Sequence, residues 1–166
     1  LWGTLLVLLQ AGSEEVYFRG WLQPVLAERW GAAAGVIVAA IAFALLHVIG
    51  GARSPLTILN LFLGGTLFGL LTLYRGGIAA AVAGHFAWNW TEQMVLGLHP
   101  NPGISSFGAM LDLELAGATV WGGSEEGLNA SAAMTLALAA LVVPLLLLAP
   151  TRPAATGPDR SGPAPA

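Results

Sequence analysis

The sequence predicts an all-α fold, a polytopic transmembrane helix bundle. Three observations carry that prediction: 56% of the 166 residues are hydrophobic, only 9% are charged, and the mean hydropathy is +0.75. Average soluble domains carry roughly 25% charged residues. A membrane span needs about 20 mostly apolar residues, and five stretches meet or approach that length. Six arginines, no lysine and nine acids leave a net charge of −3, so no basic patch exists for nucleic acid. With no cysteine, disulfides, thiolate metal sites and cysteine nucleophiles are excluded.

The first segment runs from about Leu1 to Leu26, interrupted by Ser13, Glu14, Glu15 and Arg19. It begins inside an apolar run with no charged stretch before it, unlike a signal peptide. The chain therefore reads as one lacking at least part of its N-terminal region. The second segment is Ala32 to Ile49, the third Leu56 to Tyr74, the fourth Gly77 to Leu98 and the fifth Ala130 to Ala149. Pro55 suits the first position of the third helix. Short Gly-bearing turns at Trp30-Gly31, Gly50-Gly51 and Gly76-Gly77 imply antiparallel neighbours. Residues 99–129 form a long extramembrane loop, with a short interfacial helix expected near Met110 to Leu115. The tail from Pro150 has five prolines in 17 residues and is expected to be disordered.

If all five segments span, Arg29, Arg75, Arg152 and Arg160 fall on one side and Arg53 on the other. The arginine-rich side, with the C-terminus, is then cytoplasmic. Gly65 and Gly69, and Ala80 with Gly84, make small faces that let helix backbones approach closely.

Ionisable groups at membrane depth are costly, about 2.5–3.5 kcal/mol for a central Asp or Arg on insertion scales, and mark function. Glu15 and Arg19 are four apart, acid first, and can neutralise each other. Glu14 lies about 100° round the helix, without that partner, and is free for acid–base work; alternatively the segment is an interfacial kink with a solvated charge cluster. Phe43 and His47 share a face, as do His85 and Asn89. Each pair is also compatible with a hydrogen-bonded core histidine or an interhelical polar clasp. Depth separates these readings. At 1.5 Å per residue, Glu14 and His47 lie roughly 20 Å from the arginine-rich boundary, Asn89 roughly 18 Å and His85 roughly 12 Å. One carboxylate, two imidazoles and an amide are thus placed to meet in one layer.

The series Glu14-Glu15-x-x-x-Arg19, Phe43-x-x-x-His47, His85-x-x-x-Asn89 resembles the CPBP family of intramembrane proteases, which includes type II CAAX prenyl endopeptidases and bacteriocin-processing proteins. The three motifs lie in order on three helices within residues 3–95. The resemblance implies that residues 1–149 are an intramembrane protease core. It implies that Glu14 and His47 activate water, that His85 and Asn89 form an oxyanion hole, and that Glu15, Arg19 and Phe43 hold the site in shape. It leaves the metal open: zinc, if present, would take Glu14, His47 and His85, but the H-E-x-x-H pattern of soluble zinc peptidases is absent, and a metal-free mechanism is slightly favoured. The partners it implies are membrane lipid and a membrane-associated peptide or protein substrate. The lack of lysine and the Ala, Gly and Arg richness point to a high-GC bacterium, hence to the inner membrane and to peptide maturation, immunity or signal-protein cleavage rather than prenylated tails. The competing readings are a noncatalytic immunity or scaffold protein with a vestigial site, and a proton-coupled transporter half, which the lack of an internal repeat disfavours.

Overall fold

A computed structural model describes residues 1–100 and 107–148. Five helical rods are present, close to the five expected segments. The first is continuous from Trp2 to Trp30: α1 (Trp2–Glu15), a π-helical stretch (Val16–Leu22) and α2 (Gln23–Trp30). It outruns its expected end at Leu26. Pro24, which cannot donate to the carbonyl one turn back, lies just after the π stretch, where the α-helical ladder is already rearranged. The next rods are α3 (Ala32–Ile49) and α4 (Pro55–Arg75). α5 (Ala79–Trp90) continues through a second π stretch, Thr91–Leu96, and α6 spans Ala132–Leu147. α3 and α4 are long and apolar enough to cross a membrane, while α6 is shorter. The predicted tail from Pro150, with Arg152 and Arg160, and the end of the fifth segment at Ala149 lie outside the described residues.

α4 is the central helix, packed against α3, α5 and α6, while α1 packs on α5. Pro55 opens α4 as expected, and Gly76 closes it in the left-handed region (φ 67°), with Gly77 N–H bonded to the Thr72 carbonyl. The apolar core gathers Val36, Leu67, Phe68, Ala81, Met134 and Leu138.

The distribution of side chains is inverted relative to a soluble domain. The two largest fully buried side chains are Arg19 (1% exposed) and Glu15 (0%), while Leu136 is 65% exposed and Leu45 55%. Water as solvent disfavours that arrangement; hydrocarbon favours it, because lipid solvates leucine and rejects an ion pair.

The short helix expected near Met110–Leu115 is not formed. That segment is extended, and β2 (Leu113–Glu114) pairs in parallel with β1 (Leu98–His99). The cause is the end of the preceding rod, whose last carbonyls have no intrahelical donor. Met110 and Leu111 N–H donate to the Met94 and Val95 carbonyls at 2.9 Å each, and Leu113 N–H to Gly97. The expected long loop is also tied back to the bundle. Glu126 Oε1 accepts from Arg53 N–H (3.1 Å) and Ser54 N–H (2.7 Å), satisfying donors at the positive end of α4. Burial opposes ionisation of Glu126, but the Thr57 hydroxyl, these two amides and the Arg53 charge outweigh it and hold its carboxyl below the usual range. Nearby, the buried Asn60 amide donates to the Asn129 and Ser131 carbonyls and accepts from Thr135, joining α4 to the start of α6.

Candidate active site

The last residue of α1 and the π stretch that follows it present an ion pair to the bundle interior. Arg19 Nη1 donates to Glu15 Oε1 at 3.0 Å, the i, i+4 pair that the spacing predicts. Arg19 Nη2 donates across to the Gly65 carbonyl at 2.9 Å, and one turn on, Gln23 Nε2 donates to the Gly69 carbonyl at 3.1 Å. Gly65 and Gly69, expected as packing residues, thus also expose backbone acceptors. A Cβ on Gly65 would stand 3.1 Å from Ala40 and 3.3 Å from Arg19 Nη2. Three phenylalanines surround the guanidinium: its Cζ lies 4.7 Å from the Phe43 ring centroid, 5.5 Å from Phe68 and 5.6 Å from Phe18.

Glu15 has a second partner. His85 Nδ1 is 2.8 Å from the same Oε1, and its ring stacks on Phe68 at 4.9 Å with a 16° interplanar angle. An ionised carboxylate only accepts, so the Arg19–Glu15 pair requires the His85 proton to be on Nδ1. His85 Nε2 points toward Glu14 Oε2 at 4.0 Å, too far for a direct hydrogen bond. Glu14 is free of Arg19; its other carboxylate oxygen lies 3.4 Å from Gln10 Nε2. His47 Nδ1 is 2.9 Å from the Phe43 carbonyl, another pure acceptor, so its proton is on Nδ1 and its Nε2 is unengaged by that bond. The His47 ring packs 4.6 Å from Phe43, whose other side meets His85 at 5.9 Å.

A cavity of about 1350 Å³ takes in Glu14, Phe43, His47, His85 and Asn89 together. These expected residues therefore line a common cavity, whereas Glu15 and Arg19 are not among its lining. Among the described residues no group of three or more His, Asp or Glu side chains is placed to hold a metal ion. His47 and His85 each commit Nδ1 to a protein acceptor, which leaves Nε2 as the atom that could ligate, but Glu14, His47 and His85 are not placed together as a ligand set. The zinc set Glu14, His47 and His85 does not fit this arrangement, and no step is drawn through a metal.

Several site residues escaped the sequence reading: Gln10, Phe68, Glu92 and Gln93. Gln10 stands one turn before Glu14, and Glu92 follows His85 at i+7 and Asn89 at i+3, so helical spacing could have found both. Phe68 had no signal, because only the packing of α4 brings it to His85.

An apolar-surfaced helix bundle with an ionic and imidazole-lined interior cavity defines a polytopic membrane protein with a polar site inside the bilayer. Residues 1–91 match the family described as type II CAAX prenyl endopeptidase Rce1-like, and the chain belongs to that family. Membership makes it, at the level of the family, an intramembrane endopeptidase. No curated protein and no solved structure matches the chain.

Proposed function

We propose that the chain hydrolyses a peptide bond of a membrane-associated peptide or protein, using water activated by Glu14 and His47. The observation that carries this is that Glu14, His47, His85 and Asn89 all line one cavity. Peptide hydrolysis needs a base for water and donors for the developing oxyanion. Glu14, relieved of ion pairing by the Glu15–Arg19 contact, is the base, and the His47 Nε2 lone pair orients the same water. Asn89 Nδ2 supplies one oxyanion donor. For His85 to supply the other through Nε2, it must be doubly protonated, since Nδ1–H is already given to Glu15.

The contact between His85 and Glu15 also supports a second assignment. Neutral His85, its tautomer held by a buried carboxylate as in Ser-His-Asp sites, would itself take the proton of water through Nε2. The two differ in one test. If His85 is a donor, His85→Gln retains part of the activity through its amide; if it is the base, that variant is as dead as His85→Ala.

The host membrane is a bacterial inner membrane, with Arg29 and Arg75 on the cytoplasmic side and Arg53 and the 99–129 loop opposite. The decisive experiment is cleavage of a fluorogenic apolar peptide by the chain reconstituted in lipid nanodiscs. Glu14→Ala and His47→Ala should each abolish turnover without unfolding the bundle; normal cleavage by both variants overturns the assignment. A noncatalytic scaffold acting through the loop predicts the reverse, full function in Glu14→Gln and loss on changing residues 107–129.

A further inference from the structure

Glu92 has no part in the chemistry above, yet it lines the same cavity. It sits in the second π stretch, 6% exposed, on the face of α5 that carries His85 and Asn89. A side-chain hydrogen bond links it to Trp88, and its Oε1 is buried without a hydrogen-bond partner. Among the described residues no ion pair reaches it. A carboxylate in a low-dielectric wall is expensive unless a cation and further donors accompany it. Beyond the Trp88 contact, the described residues supply neither for Oε1.

The rest of the cavity has the same bias. Glu14, Glu92, Glu125 and Glu126 line it, against a single guanidinium among the described residues, that of Arg53, whose Nη1 already donates to the Val48 and Ala52 carbonyls. Between these groups the wall is apolar, formed by Leu67, Leu71, Met134, Leu138 and Leu141. The matching ligand is an apolar peptide segment bearing one positive charge.

We propose that Glu92 is a specificity-determining residue of this site, receiving a cationic side chain or free amine of the substrate. The proposal rests on the peptidase reading for its register. Helix rise places Glu92 about 4.5 Å beyond Asn89 and about 10 Å beyond His85 along the axis. An extended peptide advances about 3.3–3.6 Å per residue, so the cation belongs one to three residues from the scissile bond. Glu92 binds and does not react.

The test uses the full chain in nanodiscs of zwitterionic phosphatidylcholine, so that anionic lipid does not itself attract the charge. Apolar peptides carry arginine, citrulline or glutamate at successive positions, and both binding, by fluorescence anisotropy, and cleavage are measured. At one position the arginine peptide should bind at least tenfold tighter than its citrulline isostere, and the glutamate peptide weakest. Glu92→Gln should reduce that arginine preference to less than twofold, mainly through KM. Equal binding of arginine and citrulline peptides by the wild type, or a preference that survives Glu92→Gln, overturns the proposal. If Glu92→Gln does not fold, Glu92→Asp decides: withdrawing the carboxylate by one methylene should lower the preference at least threefold, and an unchanged preference counts against the idea. Arginine binding that depends on Glu92 without any cleavage would instead sink the peptidase reading and leave the cation subsite standing.

Discussion

His85 Nδ1 lies 2.8 Å from the same Glu15 oxygen that Arg19 holds at 3.0 Å. One carboxylate therefore joins the first rod to α5 and also decides which histidine nitrogen faces the cavity. Removing it should do two things at once. Glu15→Gln leaves a buried guanidinium without its counter-charge, and breaking a buried pair from one side costs about 3–5 kcal/mol. Thermal unfolding in detergent should fall accordingly. The double variant Glu15→Gln with Arg19→Met should recover most of the loss, since an apolar replacement of both partners is often neutral. Equal instability of the single and double variants would show that the pair is not what holds these helices.

Glu14 makes a far weaker structural contribution, with only the 3.4 Å contact from Gln10 and the distant His85. Glu14→Gln should therefore unfold within a few degrees of wild type. Its turnover should drop by about 10²–10⁴, the usual contribution of a general base. A stability loss as large as that of Glu15→Gln would make Glu14 a structural residue.

Asn89 should act on kcat. Removing one oxyanion donor costs about 10²–10³ in rate, so Asn89→Ala should lose that factor with KM nearly constant. A change confined to KM would move Asn89 from the oxyanion to ground-state binding.

Gly65 and Gly64 offer a matched pair. A methyl on Gly65 meets Ala40 and the Arg19 guanidinium, whereas one on Gly64 finds nothing within 4 Å. Gly65→Ala should cost about 1–3 kcal/mol by overpacking, and activity should fall with it as Arg19 is displaced. Gly64→Ala should be silent in both measurements.

The Glu126 contact should appear as pH dependence. Its carboxyl is held below the ordinary value in the folded chain, so its stabilisation is present above the unfolded value of about 4.3 and is lost as pH falls through the folded one. A carboxylate at a helix N-terminus is worth about 0.3–1 kcal/mol. Unfolding of wild type and Glu126→Gln, compared between pH 7 and pH 3, should differ at neutral pH and converge in acid. A constant difference would mean that the charge is irrelevant there.

Much of this molecule was legible in one dimension. The five rods follow from runs of apolar residues, because a helix in lipid must satisfy its own backbone and surround itself with hydrocarbon side chains. The Glu15–Arg19 pair follows from i, i+4 spacing, and Glu14 stands apart for the same reason. The extended course of residues 110–115 was not legible, since its hydrogen bonds go to carbonyls left open at the end of another element. Glu126 was hidden likewise: its partners are the amides of Arg53 and Ser54, over seventy residues earlier.

Helical periodicity alone assigns each polar side chain a face and a depth, and so names Glu14, His47, His85 and Asn89 as residues of one layer. Periodicity says nothing of how helices are rotated against one another. The bundle's packing decided that Glu15, rather than water, accepts the hydrogen bond from His85 Nδ1, that Phe68 stacks on that ring, and that the Gly65 carbonyl accepts from Arg19. Those contacts join residues 17 to 70 positions apart in the chain. They exist because a charge buried in hydrocarbon must find its partner wherever the neighbouring helix presents one.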